Sequence, residues 1–257
     1  SPQSWLWILQ RLRSDKERAH DICYVVDDIA SEAMARSTNE TATMQPLLVH
    51  QLCECLSCGM VGRLHLNNER IDLRQLVSPG SWLGDETINA FLYVVQQRCR
   101  GRVVLLNTHF LKLLGGHDFN SFDYHRVRRW TAAKRLRELA GLDSIRDAQL
   151  VCVPVHAGSK HWWLALCDLR ARGQPILWCF DSARDACETW DPSRGEKALR
   201  CLARWLAVEG VVDAHAGRAT LVLAPQCAPQ RDAALEGDCA VFTCAAADSA
   251  AAMGMTG

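Results

Sequence analysis

A thiol, an imidazole and a carboxylate in the second half of the chain could together form a nucleophilic site. Cys239 follows Gly237 and Asp238 and opens an alanine-rich run that predicts a helix over 239–248. The free amides and positive partial charge at a helix N-terminus stabilise a thiolate. His161 begins one apolar run and Asp181 ends the next. These residue types are those with which a thiol nucleophile, a base and an orienting group are built.

The elements that would hold these groups are three short apolar runs, residues 149–155, 162–166 and 176–180. Their length and the turn residues between them predict three consecutive strands of an antiparallel or mixed sheet. In an antiparallel pair joined by the turn at 170–174, the start of one strand lies beside the end of the next. We therefore expect His161 and Asp181 to be neighbours.

Each of the three residues also fits a structural role. A histidine at a strand edge, an aspartate in a turn and a small buried cysteine are all common features of folded domains. The thirteen cysteines of the chain also offer many accidental matches. Taken from the residues alone, the triad is a hypothesis.

Hydrophobic periodicity along the rest of the chain predicts both helices and strands. Apolar residues at helical spacing predict helices within residues 1–60, from Asp85 onward, and over 122–141 and 196–208. Alternating or short apolar runs predict strands near 64–73 and over 103–106 and 220–223. The pattern predicts an α+β fold with a sheet flanked by helices. We expect residues 1–60 to form a helical N-terminal extension and residues 61–257 to form the main domain.

Composition argues against several classes of protein. The 257 residues are 49% hydrophobic and carry a formal net charge of +0, so the chain lacks the overall basic character of a nucleic-acid binder. No run reaches the roughly 18 apolar residues of a membrane span. The basic segment 126–137 is interpreted as the solvated face of a helix, with an acidic partner surface as the alternative.

The cysteines indicate a reducing compartment. They are odd in number and irregularly spaced, and the apolar stretch near Trp5 is too short for the core of a signal peptide. We therefore expect an intracellular chain, in the nucleus or the cytoplasm. Cys55 and Cys58 have zinc-ligand spacing, with His50 and Cys53 nearby. A zinc finger needs a second ligand pair at a distance, so we expect neither a metal nor another cofactor. Because the sequence does not begin with methionine, we expect a fragment or a processed product.

The order of motifs resembles the SUMO/sentrin-specific, ubiquitin-like-protein protease family. Residues 82–89 resemble its Trp-Leu-x-Asp-Glu-x-Ile-Asn helix, and residues 153–155 with 161–169 resemble its His-Trp strand. Residues 180–182 match the Asp-Ser that follows, and residues 237–248 are similar to its Asp-Cys-Gly block and helix. The resemblance covers about residues 65–250 and implies a papain-like cysteine peptidase fold.

The resemblance assigns roles to individual residues. It implies a triad of His161, Asp181 and Cys239, with an oxyanion donor at Gln230 or, as the alternative, Gln226. It further implies that Trp82 and Trp162 wall a slot for a diglycine tail, and that Asp85 meets a basic residue upstream of the glycines.

The implied function is thiol-dependent cleavage after the C-terminal diglycine of a ubiquitin-like modifier, with SUMO the expected modifier and NEDD8 or ubiquitin the alternatives. We expect a monomer that binds the modifier and its conjugates. The sequence departs from the family pattern at Ala240, where the family has glycine, in the spacing of the glutamine, and in ending eighteen residues after Cys239. We therefore expect a truncated C-terminus, and the alternative function is that of a weak or inactive homologue that binds a modifier.

Overall fold

The computed structural model describes residues 63–66, 69–72, 82–157, 161–171, 173–183, 192–212, 219–223 and 239–256, the first two ranges by their backbone only. The chain forms two compact units, residues 1–90 and 91–257. The predicted helical extension over 1–60, its boundary at residue 60 and the Cys55–Cys58 segment lie outside the described residues and stay predictions.

The first unit contains an antiparallel pair of strands, β1 (Arg63–Leu66) and β2 (Glu69–Asp72), in which Arg63 is opposite Asp72. These strands confirm the prediction made from the alternating residues of this region. The unit also includes the start of helix α1 (Asp85–Arg98). Asp85 lies in the first turn of α1, where a negative charge interacts favourably with the helix dipole.

The second unit is built on a five-stranded mixed sheet in the order β3–β4–β5–β6–β7. The strands are β3 (Val103–Leu105), β4 (Leu150–Ala157), β5 (His161–Asp168), β6 (Ile176–Phe180) and β7 (Thr220–Val222). The central strand β5 is antiparallel to both β4 and β6, whereas β3 and β7 run parallel to their neighbours. The predicted α+β class and the three consecutive strands are confirmed.

Helices cover both faces of this sheet. They are α2 (Phe110–Gly115), α3 (Ala133–Ala140), α4 (Pro192–Val208) and α5 (Cys239–Thr256). Alternate residues of a strand point to opposite faces, so Val153 and Ala165 join the core with Phe110, Leu199 and Trp205. Helix α5 contacts β5, β4 and β3. Within the described ranges, every helix is too short or too polar to span a membrane.

Gln96 and Arg98 hold the C-terminal end of α1 against other parts of the second unit. The buried Gln96 side chain donates from Nε2 to the Val103 carbonyl at 2.8 Å and accepts at Oε1 from the Leu105 amide at 2.7 Å. Arg98 forms an ion pair with Asp248 of α5. At Gly254 an added Cβ would lie 2.5 Å from a Val103 methyl group, so glycine permits the close approach of α5 to β3.

The prediction of one helix over 122–141 is wrong. A 3-10 helix covers Tyr124–Arg126, and α3 begins at Ala133, after Ala132 with extended dihedral angles. Tertiary contacts explain the break, since Trp130 packs on Phe110 with ring centroids 5.7 Å apart. The helix ends at Gly141, as predicted, and this glycine adopts the left-handed conformation. Helix α2 was not predicted from the sequence.

Glu209 joins the 124–131 segment to α4. Its Oε1 accepts hydrogen bonds from Tyr124 Oη at 3.1 Å, Thr131 Oγ1 at 2.5 Å and Trp205 Nε1 at 3.1 Å. Thr131 and Trp205 are buried, so water does not replace this acceptor if it is removed. We expect Glu209→Ala to lower the free energy of unfolding in urea by about 2–4 kcal/mol.

The matched control for this prediction is Glu196→Ala. Glu196 pairs with Arg200 one turn away on the surface of α4, and such pairs contribute about 0.5 kcal/mol or less. Equal losses in the two variants would contradict a special role for Glu209.

Candidate active site

The antiparallel pairing of β5 and β6 brings His161 and Asp181 together. His161 is the first residue of β5, and Asp181 directly follows β6. The His161 Nε2 and Asp181 Oδ1 atoms are 2.7 Å apart. The Asp181 side chain is 6% exposed and that of His161 is 25% exposed, so water screens this pair poorly. The neighbourhood expected from strand order is therefore found in the structure.

The Asp181 carboxylate is oriented by its own turn. Its Oδ1 also accepts a hydrogen bond from the Ala183 amide at 3.0 Å, the arrangement of an Asx turn. This contact directs the carboxylate toward the imidazole. Because His161 Nε2–H then donates to Asp181, Nδ1 is left to interact with a third group.

Cys239 supplies that third group. It is the first residue of α5, and its side chain forms a hydrogen bond with the His161 imidazole. Burial by itself would lower the pKa of His161, but the hydrogen bonds to Asp181 and Cys239 and the negative charges of these two groups raise it to about 9. The contacts with Asp181 and Cys239 therefore favour the protonated form of the His161 imidazole.

Contact with His161 distinguishes Cys239 from other cysteines, whereas burial does not. Cys239 is 2% exposed, and Cys99, Cys167 and Cys244 are equally buried. Burial raises the pKa of each of these three thiols to about 12. A thiol in such surroundings stays protonated and is a poor nucleophile. The cysteines are spread between residues 23 and 244 of the sequence, and among those that the structure describes Cys239 is the one in contact with the His161 imidazole.

Of the other predicted site residues, the structure describes the two tryptophans and Asp85 but neither glutamine. Trp162 is buried on β5 and stacks on His156, with ring centroids 4.4 Å apart and planes inclined by 25°. Trp82 is half-buried just before α1, and Asp85 begins that helix. Both belong to the first unit, whereas Trp162 belongs to the second, so their shared role in a slot stays a prediction. Gln230 and Gln226 lie outside the described residues, and their role stays a prediction too.

Two supporting residues were missed by the sequence reasoning. His156 is directly opposite Trp162 in the β4–β5 register. Only a few residues separate the two predicted strands in sequence, and this was the signal that could have paired His156 with Trp162, since the partners in a hairpin lie at equal distances from its centre. Thr243 donates from Oγ1 to the Cys239 carbonyl at 2.9 Å, which holds the first turn of α5. Its spacing of four residues from the cysteine was the available signal.

A cavity of about 350 Å³ lies between α5 and the ends of β5 and β6. Ser182, Phe180 and Phe242 are among its lining residues. The Ser182 hydroxyl is buried, and no described residue gives it a hydrogen-bond partner. Within the described ranges, no group of three or more His, Cys, Asp or Glu side chains is arranged to bind a metal ion.

We expect Ser182→Ala to leave the free energy of unfolding unchanged or to raise it by up to about 1 kcal/mol, because a buried hydroxyl without a partner costs free energy. The melting temperature should stay the same or rise accordingly. The control is Thr243→Val, which removes a hydroxyl that has a partner and is expected to cost about 1 kcal/mol. Differential scanning calorimetry measures both. A clear loss of stability in Ser182→Ala would mean that this hydroxyl makes a contact that stabilises the fold.

The part of the chain that contains this site is similar to known proteins. Residues 81–252 match the model of the Ulp1 protease family, C-terminal catalytic domain. Two curated relatives from Arabidopsis thaliana, ubiquitin-like-specific protease 1A and ubiquitin-like-specific protease ESD4, are 30% and 31% identical over 114 residues. These matches cover 40% of this chain, and 21% and 22% of the relatives, so the chain matches only about a fifth of their length.

Two solved structures share the fold. The C-terminal Ulp1 protease domain in complex with Smt3, the yeast ortholog of SUMO, superposes with a TM-score of 0.55 over 75% of this chain and 76% of that one. The SUMO protease Ulp1 with its catalytic cysteine oxidized to a sulfinic acid superposes with a TM-score of 0.58 over 79% and 82%. Both are 20% identical to this chain. The chain belongs to the Ulp1 protease family, and residues 81–252 are its cysteine protease domain.

Proposed function

We propose that this chain is a cysteine peptidase that cleaves after the C-terminal diglycine of a ubiquitin-like modifier, with SUMO as the preferred modifier. The observation that carries the proposal is the position of His161, which hydrogen-bonds to both Asp181 and Cys239. A base held between a thiol and a carboxylate is the arrangement that thiol acyl transfer requires.

The first step is attack by sulfur. His161 takes the proton of the Cys239 thiol, and Asp181 stabilises the imidazolium that forms. The thiolate then adds to the carbonyl carbon of the second glycine, so a carbon–sulfur bond forms and the carbonyl oxygen gains a negative charge. The backbone amide of Cys239 lies at the N-terminus of α5, where amides are free to donate. In this proposal it holds the oxyanion together with Gln230 or Gln226.

The second step releases the amine and then the modifier. The imidazolium of His161 donates its proton to the leaving nitrogen as the carbon–nitrogen bond breaks, which leaves a thioester on Cys239. Water then attacks the thioester, with His161 as base, and frees the glycine carboxylate and the thiol. Protons and bonds balance over the cycle, and this scheme uses only groups of the chain and water.

The substrate preference rests on likeness and on the proposed slot. The solved Ulp1 domain of similar fold is in complex with Smt3. In this chain Trp162 is held flat by the ring of His156, and a flat aromatic wall suits a diglycine segment that has no side chains. Trp82 would form the other wall, and Asp85 would meet a basic residue of the modifier.

A second candidate function is binding of a modifier without cleavage. It is favoured by Ala240, which directly follows the nucleophile and is 1% exposed. Its methyl group occupies space beside the nucleophile that the glycine of the family pattern leaves free. Under either function we propose an intracellular monomer, in the nucleus or the cytoplasm.

The test uses modifiers that end in an electrophile. Purified full chain is incubated with SUMO, NEDD8 and ubiquitin vinyl sulfones, beside Cys239→Ala and Cys244→Ala. Cys244 is a matched control because it is buried in the same helix and its thiol is not activated. The proposal expects a SUMO adduct in the wild type and in Cys244→Ala, but none in Cys239→Ala. An adduct with NEDD8 or ubiquitin alone would mean that this modifier, and not SUMO, is the substrate. No adduct, from a folded sample that still binds SUMO, would favour the second candidate.

A further inference from the structure

A concentrated positive charge lies on the surface of the second unit, apart from the triad in sequence. We call the basic strip the six residues Arg126, Arg128, Arg129, Lys134, Arg135 and Arg137. They are six of the 29 lysines and arginines of the chain, and no Asp or Glu occurs between residues 124 and 137. All six are exposed. In a chain whose net charge is +0, this is a strong local separation of charge.

The backbone that carries the strip is held firmly. Val127 and Leu136 are fully buried between the basic residues. Thr131 binds Glu209, and Trp130 packs on Phe110. The basic residues alternate with these buried ones and are exposed on backbone that tertiary contacts hold in place, so a partner could bind them without first ordering this backbone.

The fold itself neutralises only part of this charge. Arg135 pairs with Glu138 at 3.5 Å, and Arg137 pairs with Asp143. For Arg126, Arg129 and Lys134 the described residues provide no carboxylate within ion-pair distance. Like charges placed close together repel and lower stability by a few tenths of a kcal/mol per pair. The unpaired cations therefore do not stabilise the fold, which points to a role in binding.

We propose that the basic strip binds an acidic segment of a partner polypeptide. Arginine forms two parallel hydrogen bonds with a carboxylate, and the strip contains five arginines and one lysine. Acidic residues at both ends, Asp123 on one side and Glu138 on the other, limit the favourable region to a short anion. A nucleic acid extends beyond such a region and would meet these carboxylates. The proposal is independent of the proposed peptidase function, because it concerns recruitment of a partner and not cleavage.

The test is fluorescence anisotropy with a fluorescein-labelled peptide of eight glutamates, at low and at high salt, using the full chain. A neutral Gly-Ser peptide of equal length serves as the peptide control. Arg126→Glu with Arg129→Glu is expected to weaken binding about tenfold or more, since two attractive contacts become repulsive. Lys197→Glu with Arg200→Glu changes the net charge equally on the exposed side of α4 and is expected to leave binding within about twofold.

Folding of each variant is checked by circular dichroism and melting temperature, and Arg126→Gln with Arg129→Gln replaces the reversal if that variant does not fold. The proposal is supported if the affinity for the acidic peptide falls at high salt and in Arg126→Glu with Arg129→Glu, but not in Lys197→Glu with Arg200→Glu. No binding of the acidic peptide, or equal losses in the two variants, would overturn it. Tighter binding of a labelled 20-base DNA through the same residues would overturn it in favour of a nucleic-acid surface.

Discussion

Replacing Cys239 by alanine is expected to reduce kcat to the background of the assay, a loss of at least ~10⁴-fold. The reason is that alanine has no atom that can form the thioester, while the remaining groups of the site only polarise the substrate. A fluorogenic SUMO C-terminal amide measures the rate. Because Cys239 is small and buried in α5, alanine fits the same space, and the variant is expected to keep its fold.

The control for this prediction is Cys244→Ala, five residues further along the same helix. Its thiol is deeply buried, and burial raises its pKa to about 12. We expect this variant to keep activity close to that of the wild type. Residual turnover in Cys239→Ala above a heat-denatured blank, or an equal loss in Cys244→Ala, would show that another thiol or another chemistry is responsible.

Replacing Asp181 by asparagine is expected to lower kcat/KM by ~10²–10⁴-fold. Asparagine has nearly the same shape, but it removes the negative charge 2.7 Å from His161 Nε2. The imidazolium then loses its main stabilising partner, and the imidazole can adopt the wrong tautomer. The comparison variant Asp168→Asn removes an aspartate at the far end of β5 that pairs with Arg170 on the surface. It is expected to keep nearly full activity.

The same variant gives a pH signature that a purely structural role would not produce. The contacts with Asp181 and Cys239 raise the pKa of His161 to about 9. Activity of the wild type is therefore expected to fall as the pH rises through about 9, where the imidazolium can no longer donate to the leaving amine. In Asp181→Asn this alkaline limit should move down toward the ordinary histidine value near 6.5. An unchanged limit would mean that Asp181 does not control the charge of His161.

The free energy of unfolding should also depend on the protonation of His161. A histidine whose pKa is raised from 6.5 to about 9 on folding adds up to about 3 kcal/mol, which is complete below pH 6.5 and is lost as the pH rises through about 9. Asp181 and Cys239 share this contribution. The difference in unfolding free energy between the wild type and Asp181→Asn should therefore be larger near pH 6 than near pH 10, as measured by urea denaturation.

Strands and helices with a strong periodic pattern were predictable, and segments governed by tertiary contacts were not. The run 176–180 became β6 with the predicted bounds. Helix α4 began four residues earlier than predicted, at Pro192, a residue favoured in the first turn of helices. The single helix expected over 122–141 does not form, because Thr131 donates a hydrogen bond to Glu209 and Trp130 packs on Phe110. Periodicity carries no information on such distant partners.

The sequence by itself determined the three consecutive central strands, the antiparallel β5–β6 pair and hence the proximity of His161 to Asp181. That was possible because the two residues lie at adjoining ends of strands joined by a short turn. The motif around Cys239 singled out that cysteine, but only the tertiary structure places its thiol beside the imidazole, since Cys239 lies 78 positions after His161. The tertiary structure also decided the pKa of His161, because burial and the contacts with Asp181 and Cys239 act through space. Local pattern determines secondary structure, whereas the chemistry of a site depends on groups that only the packed fold brings together.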